Sequence, residues 1–317
     1  MRTGFTYRTP SGDTLGSTGQ RARIQQLAIP PAWTDVWICL DADGHVQATG
    51  RDARGRKQYR YHDVWAEVRT ADKFDQLAVF SVELAKIRRQ VATDLGRRGL
   101  PRERVIALVV RLLDETLVRI GNPEYARDES FGLTTLEGRH VSADRGRIVF
   151  EFEGKSGVEH AVPIIDPALI RVVRACDEMG GRQLFTYRDG SEVCEISSDD
   201  VNDYLRDIAG AMVSARDFRT WGGTVAVVED LGPVSPDAGV VSSAANDRRF
   251  LEAVDRAAER LGNTRSVCRA SYVHPDIEAG FHSGRLHDVW CRSRATKWHT
   301  RAEGATLRLL TDEPASR

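Results

Sequence analysis

The sequence predicts an α+β chain in two parts. Residues 1–70 form a small N-terminal antiparallel β-sheet domain, and residues 71–317 a larger, mostly α-helical domain with a small three-stranded β-sheet of its own. Three observations predict this. Two β-like runs flank a DADG turn, Asp41–Gly44. Phe74, Leu77, Ala78, Val82, Leu84, Ala85, Ile87 and Val91 recur at helical spacing. Ile148, Phe150 and Phe152 alternate with Val149, Glu151 and Glu153 ahead of a GKSG hairpin tip.

In order, Gln20 to Leu27 reads as a short helix closed by Pro30-Pro31. Val36–Leu40, His45–Thr49 and Gln58–Tyr61 supply the first sheet, with Arg51–Lys57 a polar loop around Gly55. A long helix is expected over Asp72–Leu95, with the domain junction near Thr70 and a hinge over Val68–Asp72. A second helix should run from about Arg102 to Ile120, opened by Pro101 and closed by Gly121. After the second sheet, whose last strand returns over Val158–Ile164, helices are expected over 167–178, 198–213, 217–230 and 247–261. Ser198 with Asp199 and Asp200 reads as an N-cap and acidic first turn. Leu231–Asn246, rich in Pro, Gly and Ser, reads as an exposed loop. The chain after Pro275 gives no clear pattern.

Composition bounds function. With 317 residues and 41% hydrophobic content the chain can bury a real core. The 45 Lys+Arg against 46 Asp+Glu argue against coating nucleic acid by bulk charge, but leave a local basic groove open. Five scattered cysteines without a CxxC fit a reducing cytosol rather than a disulfide framework or zinc ribbon. No apolar stretch approaches the ~20 residues of a membrane span, and the first residues do not read as a secretory signal.

Five segments carry candidate chemistry. Arg51–Tyr61, RDARGRKQYRY, sets Arg56, Lys57, Gln58, Tyr59 and Tyr61 where cations suit phosphates, and Gln58 with the aromatics suits base edges. A solvated β-loop fits the same residues. Arg119, at the expected helix end, suits either the helix dipole or phosphate clamping, with Tyr125 as a second contact. Lys155 in FEGKSG is not a nucleotide-loop lysine. That loop needs a glycine where Val149 stands and a helix where a strand follows. It is either an exposed tip or a proton donor on a rigid finger. Arg216 and Arg219 share a helix face at i, i+3, as an ordinary ion-paired surface would also have it. Finally, Gly262–Pro275 holds Tyr272 nine residues beyond Asn263, as a nucleophile or a core tyrosine. His282, His287, Cys291 and His299 match no common zinc spacing.

The ordered set Arg119 (RIGN), Lys155 (FEGKSG), Arg219 (RDFRTWG), Asn263 (GNT) and Tyr272 (CRASY) resembles the type IB DNA topoisomerases in their compact, poxvirus-like and bacterial form. VQATGRDARGRKQYRY looks like that family's DNA-clamping sheet, and the likeness covers roughly residues 20–275. The poxvirus pattern has histidine where Asn263 stands, whereas bacterial members carry Asn. Asn can donate a hydrogen bond there but carries no charge.

The resemblance implies the tyrosine recombinase/type IB topoisomerase-like fold. It implies a monomer that clamps double-stranded DNA, with no cofactor, no required metal and no ATP, in the cytoplasm with the nucleoid. It implies catalytic roles for Arg119, Lys155, Arg219, Asn263 and Tyr272, and DNA contacts from Arg56, Lys57, Gln58, Tyr59, Tyr61, Tyr125 and Arg216. The reaction would be supercoil relaxation through a 3′-phosphotyrosyl intermediate. Two rivals remain: a tyrosine recombinase, and a non-catalytic DNA-binding protein on the same scaffold. The GRKQYRY sheet favours the topoisomerase over the recombinase, and the intact five-residue set argues against lost catalysis.

Overall fold

The computed structural model describes residues 5–144, 146–210, 212–235 and 243–312. Two compact units divide at Lys73 and Phe74.

In the first unit, helix α1 (Thr18–Gln26) is capped by Ser17, whose hydroxyl accepts from Gln20 N. Strands β1 (Thr34–Ile38), β2 (Val46–Arg51) and β3 (Lys57–Tyr61) form an antiparallel sheet in the order β1-β2-β3. The expected turn at 41–44 is held from inside. Buried Gln47 donates from Nε2 to Ala42 O at 2.9 Å and Gly44 O at 2.6 Å. Its Oε1 accepts from Arg23. Gly50 is glycine for space, since a Cβ there would lie 2.7 Å from the Trp33 ring.

Helix α2 runs over Asp63–Leu95, nine residues longer at its start than the periodicity indicates. His62 Nδ1 accepts from Val64 N and caps its first turn. Residues 68–72, expected as a hinge, are helical, because no Pro or Gly interrupts them.

In the second unit, α3 (Arg102–Thr116) is the central helix, with Val105–Val110, Leu112 and Leu113 all buried. A helix apolar on nearly all sides belongs in an interior. It stops four residues before the expected end at Ile120, because Leu117 turns left-handed at φ 56°. The chain beyond it then pairs elsewhere: Arg119 O accepts from Leu133 N at 2.9 Å and Ile120 O from Thr134 N at 2.7 Å. Arg119 therefore sits beyond the helix, not on its last turn. The short helix α4 (Pro123–Ala126) follows.

Strands β4 (Val141–Asp144), β5 (Arg147–Glu153) and β6 (Glu159–Ile164) form the expected three-stranded antiparallel sheet. Ile148, Phe150 and Phe152 point into the core. Helix α5 (Pro167–Asp177) is capped by Asp166. A hairpin of β7 (Thr186–Asp189) and β8 (Glu192–Glu195) stands in a stretch where only helices were expected. Its signal was Asp189-Gly190, with Gly190 at φ 58°. Helix α6 (Ser198–Ala209) is capped by Ser197 rather than Ser198 and ends at Ala209, four residues before the expected 213, with Gly210 as its C-cap.

Helices α7 (Ala215–Leu231), α8 (Ser243–Leu261) and α9 (Arg265–Tyr272) lead into α10 (Pro275–His282), α11 (Arg285–Arg292) and α12 (Arg301–Thr311). Of the loop expected over 231–246, Leu231 ends α7, 243–246 belong to α8, and 236–242 lie outside the described residues. The C-terminal helices pack on α7 and α8 through Ile277, Phe281, Leu286, Val289, Ala305 and Leu309. No described helix is long and apolar enough to cross a membrane.

One ionic network ties α12 to α2 and α3. Arg88 meets Asp114 and Glu303 at 2.7 Å each, and Glu303 accepts from Trp221 Nε1 at 3.2 Å. Burial would push the Glu303 carboxyl up, but the Arg88 guanidinium outweighs it and holds the pKa below the ordinary 4.5. Removing one partner of a buried pair strands the others. We therefore expect Arg88→Ala to lose about 3–5 kcal/mol of unfolding free energy, measured by urea denaturation. Because the folded pKa of Glu303 is depressed, its contribution is complete above 4.5 and fades as pH falls through the lower folded value. The wild-type advantage over Glu303→Gln should shrink in that acidic window, which parallel urea titrations would measure.

Candidate active site

Four side chains predicted from separate motifs meet in the second unit, around Arg219 of α7. Arg219 is buried, at 4% exposure, and faces no carboxylate in the ion pairs of the described residues. Its Nη1 donates to Leu117 O, its Nη2 to Leu261 O at 2.9 Å, and its guanidinium lies 5.2 Å from the Tyr272 ring centroid. The surface ion-pair alternative therefore does not describe Arg219; Arg216, one turn earlier, is exposed. Arg119 Nη2 donates to Asn263 Oδ1 at 3.0 Å. That contact leaves the Asn263 amide with its NH₂ group as donor. Two buried donors, Arg219 Nε and Asn263 Nδ2, have no partner among the described residues. Buried donors are normally satisfied, so a pair of unspent ones beside two guanidiniums is suited to an anionic ligand.

Tyr272 ends α9, and its backbone is fixed on α7. Thr224 Oγ1 donates to Tyr272 O at 3.1 Å and accepts from His274 N at 3.1 Å. A Cβ on Gly223 would lie 2.8 Å from Tyr272 O, and one on Gly222 would lie 2.4 Å from the Leu117 side chain. Both glycines are needed for close approach. Burial raises the phenol pKa, but Arg219, then Arg119 and Lys155, outweigh it, so the net shift is below 10.0. For Arg219 itself, burial and then Arg119 push the pKa down.

Lys155 stands exposed on the tip between β5 and β6, where Ser156 and Gly157 take φ 69° and 75°. The tip is near enough for its charge to act on the Tyr272 phenol. Tyr125 is exposed on α4.

In the first unit, Tyr59 and Tyr61 stack at 6.0 Å and are both exposed, with Lys57 Nζ 5.5 Å from the Tyr59 ring. The one acid of this loop, Asp52, accepts from Arg54 N, Arg56 N, Arg56 Nε and Gln58 Nε2, all at 2.9–3.0 Å. Arg56 is thus ion-paired, and the Gln58 amide is oriented by the same carboxylate.

The family model of the eukaryotic DNA topoisomerase I catalytic core matches residues 62–279, a span containing all five candidate residues. The chain belongs to the type IB DNA topoisomerases. The model of the bacterial DNA topoisomerase IB N-terminal domain matches residues 4–52. A relative from Acanthamoeba polyphaga mimivirus, DNA topoisomerase 1B, is 29% identical over 84% of each chain. The vaccinia virus (strain Copenhagen) DNA topoisomerase 1B is 29% identical over 43% of this chain and 45% of its own. The recombinase and non-catalytic readings are not favoured, and the chain is an enzyme of this isomerase family acting on DNA.

Sequence reasoning did not single out Gly222, Gly223, Thr224 or Asp52. The signal for the glycines was available. Two adjacent glycines inside a helix cost roughly 0.5–1 kcal/mol each unless something packs against them. For the topoisomerase we expect Arg219→Met to shift the Tyr272 phenol upward, read as the phenolate absorbance difference from Tyr272→Phe through alkaline pH. The same substitution leaves the carbonyls of Leu117 and Leu261 without their donor, and should cost about 1–3 kcal/mol for each in urea unfolding.

Proposed function

We propose that this topoisomerase relaxes supercoiled double-stranded DNA with Arg119, Lys155, Arg219, Asn263 and Tyr272 as its catalytic set. The observation that carries the reading is the convergence of Tyr272, seated against the Arg219 guanidinium, with two unspent buried donors. Tyr272 Oη, its phenol proton released to solvent, attacks the phosphodiester, forming a bond to phosphorus while the bond to the 5′-oxygen breaks. The product is a 3′-phosphotyrosine and a 5′-hydroxyl. Arg119, Arg219 and the Asn263 amide bind the non-bridging oxygens, where charge accumulates in the transition state. Lys155 gives its proton to the departing 5′-oxygen. Reversal of the same steps reseals the strand after rotation. The phosphotyrosyl bond retains the energy of the broken linkage, so no ATP is required.

Tyr125 and Arg216, with Lys57, Gln58, Tyr59 and Tyr61 of the first sheet, contact the duplex outside the cleavage site, and Arg56 joins them through its pair with Asp52. The working form is a monomer in the cytoplasm, on the nucleoid. Purified protein should relax a supercoiled plasmid in EDTA without ATP, and Tyr272→Phe should not. A plasmid left supercoiled by wild type, or relaxed equally by Tyr272→Phe, overturns the reading. The uncharged donor role of Asn263 leads to a graded expectation. In single-turnover cleavage Asn263→His should stay active, while Asn263→Ala should slow about 10²-fold.

A further inference from the structure

We propose that His160 is a positioning residue that registers the Lys155 hairpin against the Gly262–Asn263 turn. The inference rests on the proposed general-acid role of Lys155. His160 is on β6, opposite Phe152 of β5, and its ring stacks on Phe152 at 4.9 Å with 19° between planes. One edge of the imidazole then fills the space beside two glycines. A Cβ on Gly154, the residue before Lys155, would lie 2.7 Å from His160 Cδ2 and Nε2. A Cβ on Gly262, the residue before Asn263, would lie 3.1 Å from His160 Cε1. The same ring thus touches the backbone just ahead of the proposed proton donor and just ahead of a proposed phosphate ligand.

The contact is one of shape. No hydrogen bond holds the ring nitrogens among the described residues. Burial, then the charges of Arg119 and Arg219, press the imidazole toward its neutral form. A neutral flat ring is not repelled by those two charges, as a lysine or arginine at position 160 would be. Without the ring, the Lys155 tip keeps its strand pairing but loses the surface that sets its distance from the Asn263 turn. Proton donation depends on placement within hydrogen-bond reach, and a misplacement of about 1 Å can cost 10²-fold.

The test uses single-turnover cleavage of two duplexes, one ordinary and one with sulfur in place of the bridging 5′-oxygen at the cleavage site. A thiolate leaves without needing a proton, so the second duplex bypasses the general acid. On ordinary DNA His160→Ala should slow about 10²-fold, while His160→Phe, which keeps the ring, should stay near wild type. On the sulfur duplex His160→Ala and Lys155→Ala should both recover the wild-type rate. Recovery of Lys155→Ala alone overturns this inference and leaves the general-acid reading standing. Recovery of neither overturns the general-acid reading and this inference with it. Full activity of His160→Ala on ordinary DNA also overturns it. Thermal unfolding checks that each variant is folded. If His160→Ala is not, His160→Leu, which restores bulk without a flat ring, carries the same comparison.

Discussion

The site depends on one buried cation. Arg219 enters the interior with no carboxylate paired to it among the described residues and is held by two main-chain carbonyls, Leu117 O and Leu261 O. Each belongs to the C-terminal end of a helix, α3 and α8, where partial negative charge suits a guanidinium. Two residues past each anchor come Arg119 and Asn263, and these bond to one another. A single side chain thereby ties the ends of two helices together. It also fixes where two further polar groups, far apart in sequence, come together. The Tyr272 ring lies over that same guanidinium, so placement and acidity of the phenol have a common source.

Two arginines, Arg219 buried and Arg88 partly buried, show how surroundings separate structure from chemistry. Arg88 is matched by Asp114 and Glu303, its charge is spent, and its work is to join α2, α3 and α12. Arg219 meets two carbonyls and the Tyr272 side chain, and its Nε–H stays unpaired among the described residues. A fully paired buried arginine has nothing left to offer a ligand, whereas an incompletely paired one carries a standing cost that an anion would relieve.

Much of this was legible in the sequence, and for identifiable reasons. Alternation around Phe150 and helical spacing from Phe74 to Val91 are patterns that burial writes directly into residue order. The five candidate residues were legible as an ordered set of motifs resembling one family, since each motif alone also fits an ordinary surface or core role. The losses were of another kind. The end of α3 was misplaced because long-range hydrogen bonds from Leu133 and Thr134 claim the carbonyls of Arg119 and Ile120. The start of α2 was missed although Val64, Trp65, Val68 and Ala71 stand at helical spacing, and the β7–β8 hairpin because its runs are only four residues long. His160 carries no motif, and Asp52 stands in RDARGRKQYRY only as its single acid. Their positions acquire meaning only when the glycines, amides and guanidiniums around them have coordinates.

The seating of Tyr272 has a mechanical corollary. Thr224 straps the backbone at the tyrosine carbonyl and two residues beyond it, and Gly223 lets that backbone rest against α7. The post is rigid, so the length of the side chain alone sets the reach toward phosphorus. A serine or cysteine mounted on the same post would point the right way and fall short. In the proposed reaction the severed strand hangs from this post for the life of the covalent adduct. The accuracy with which the two ends are rejoined is then a matter of tolerances in the protein, and a swivelling duplex needs a fixed bearing.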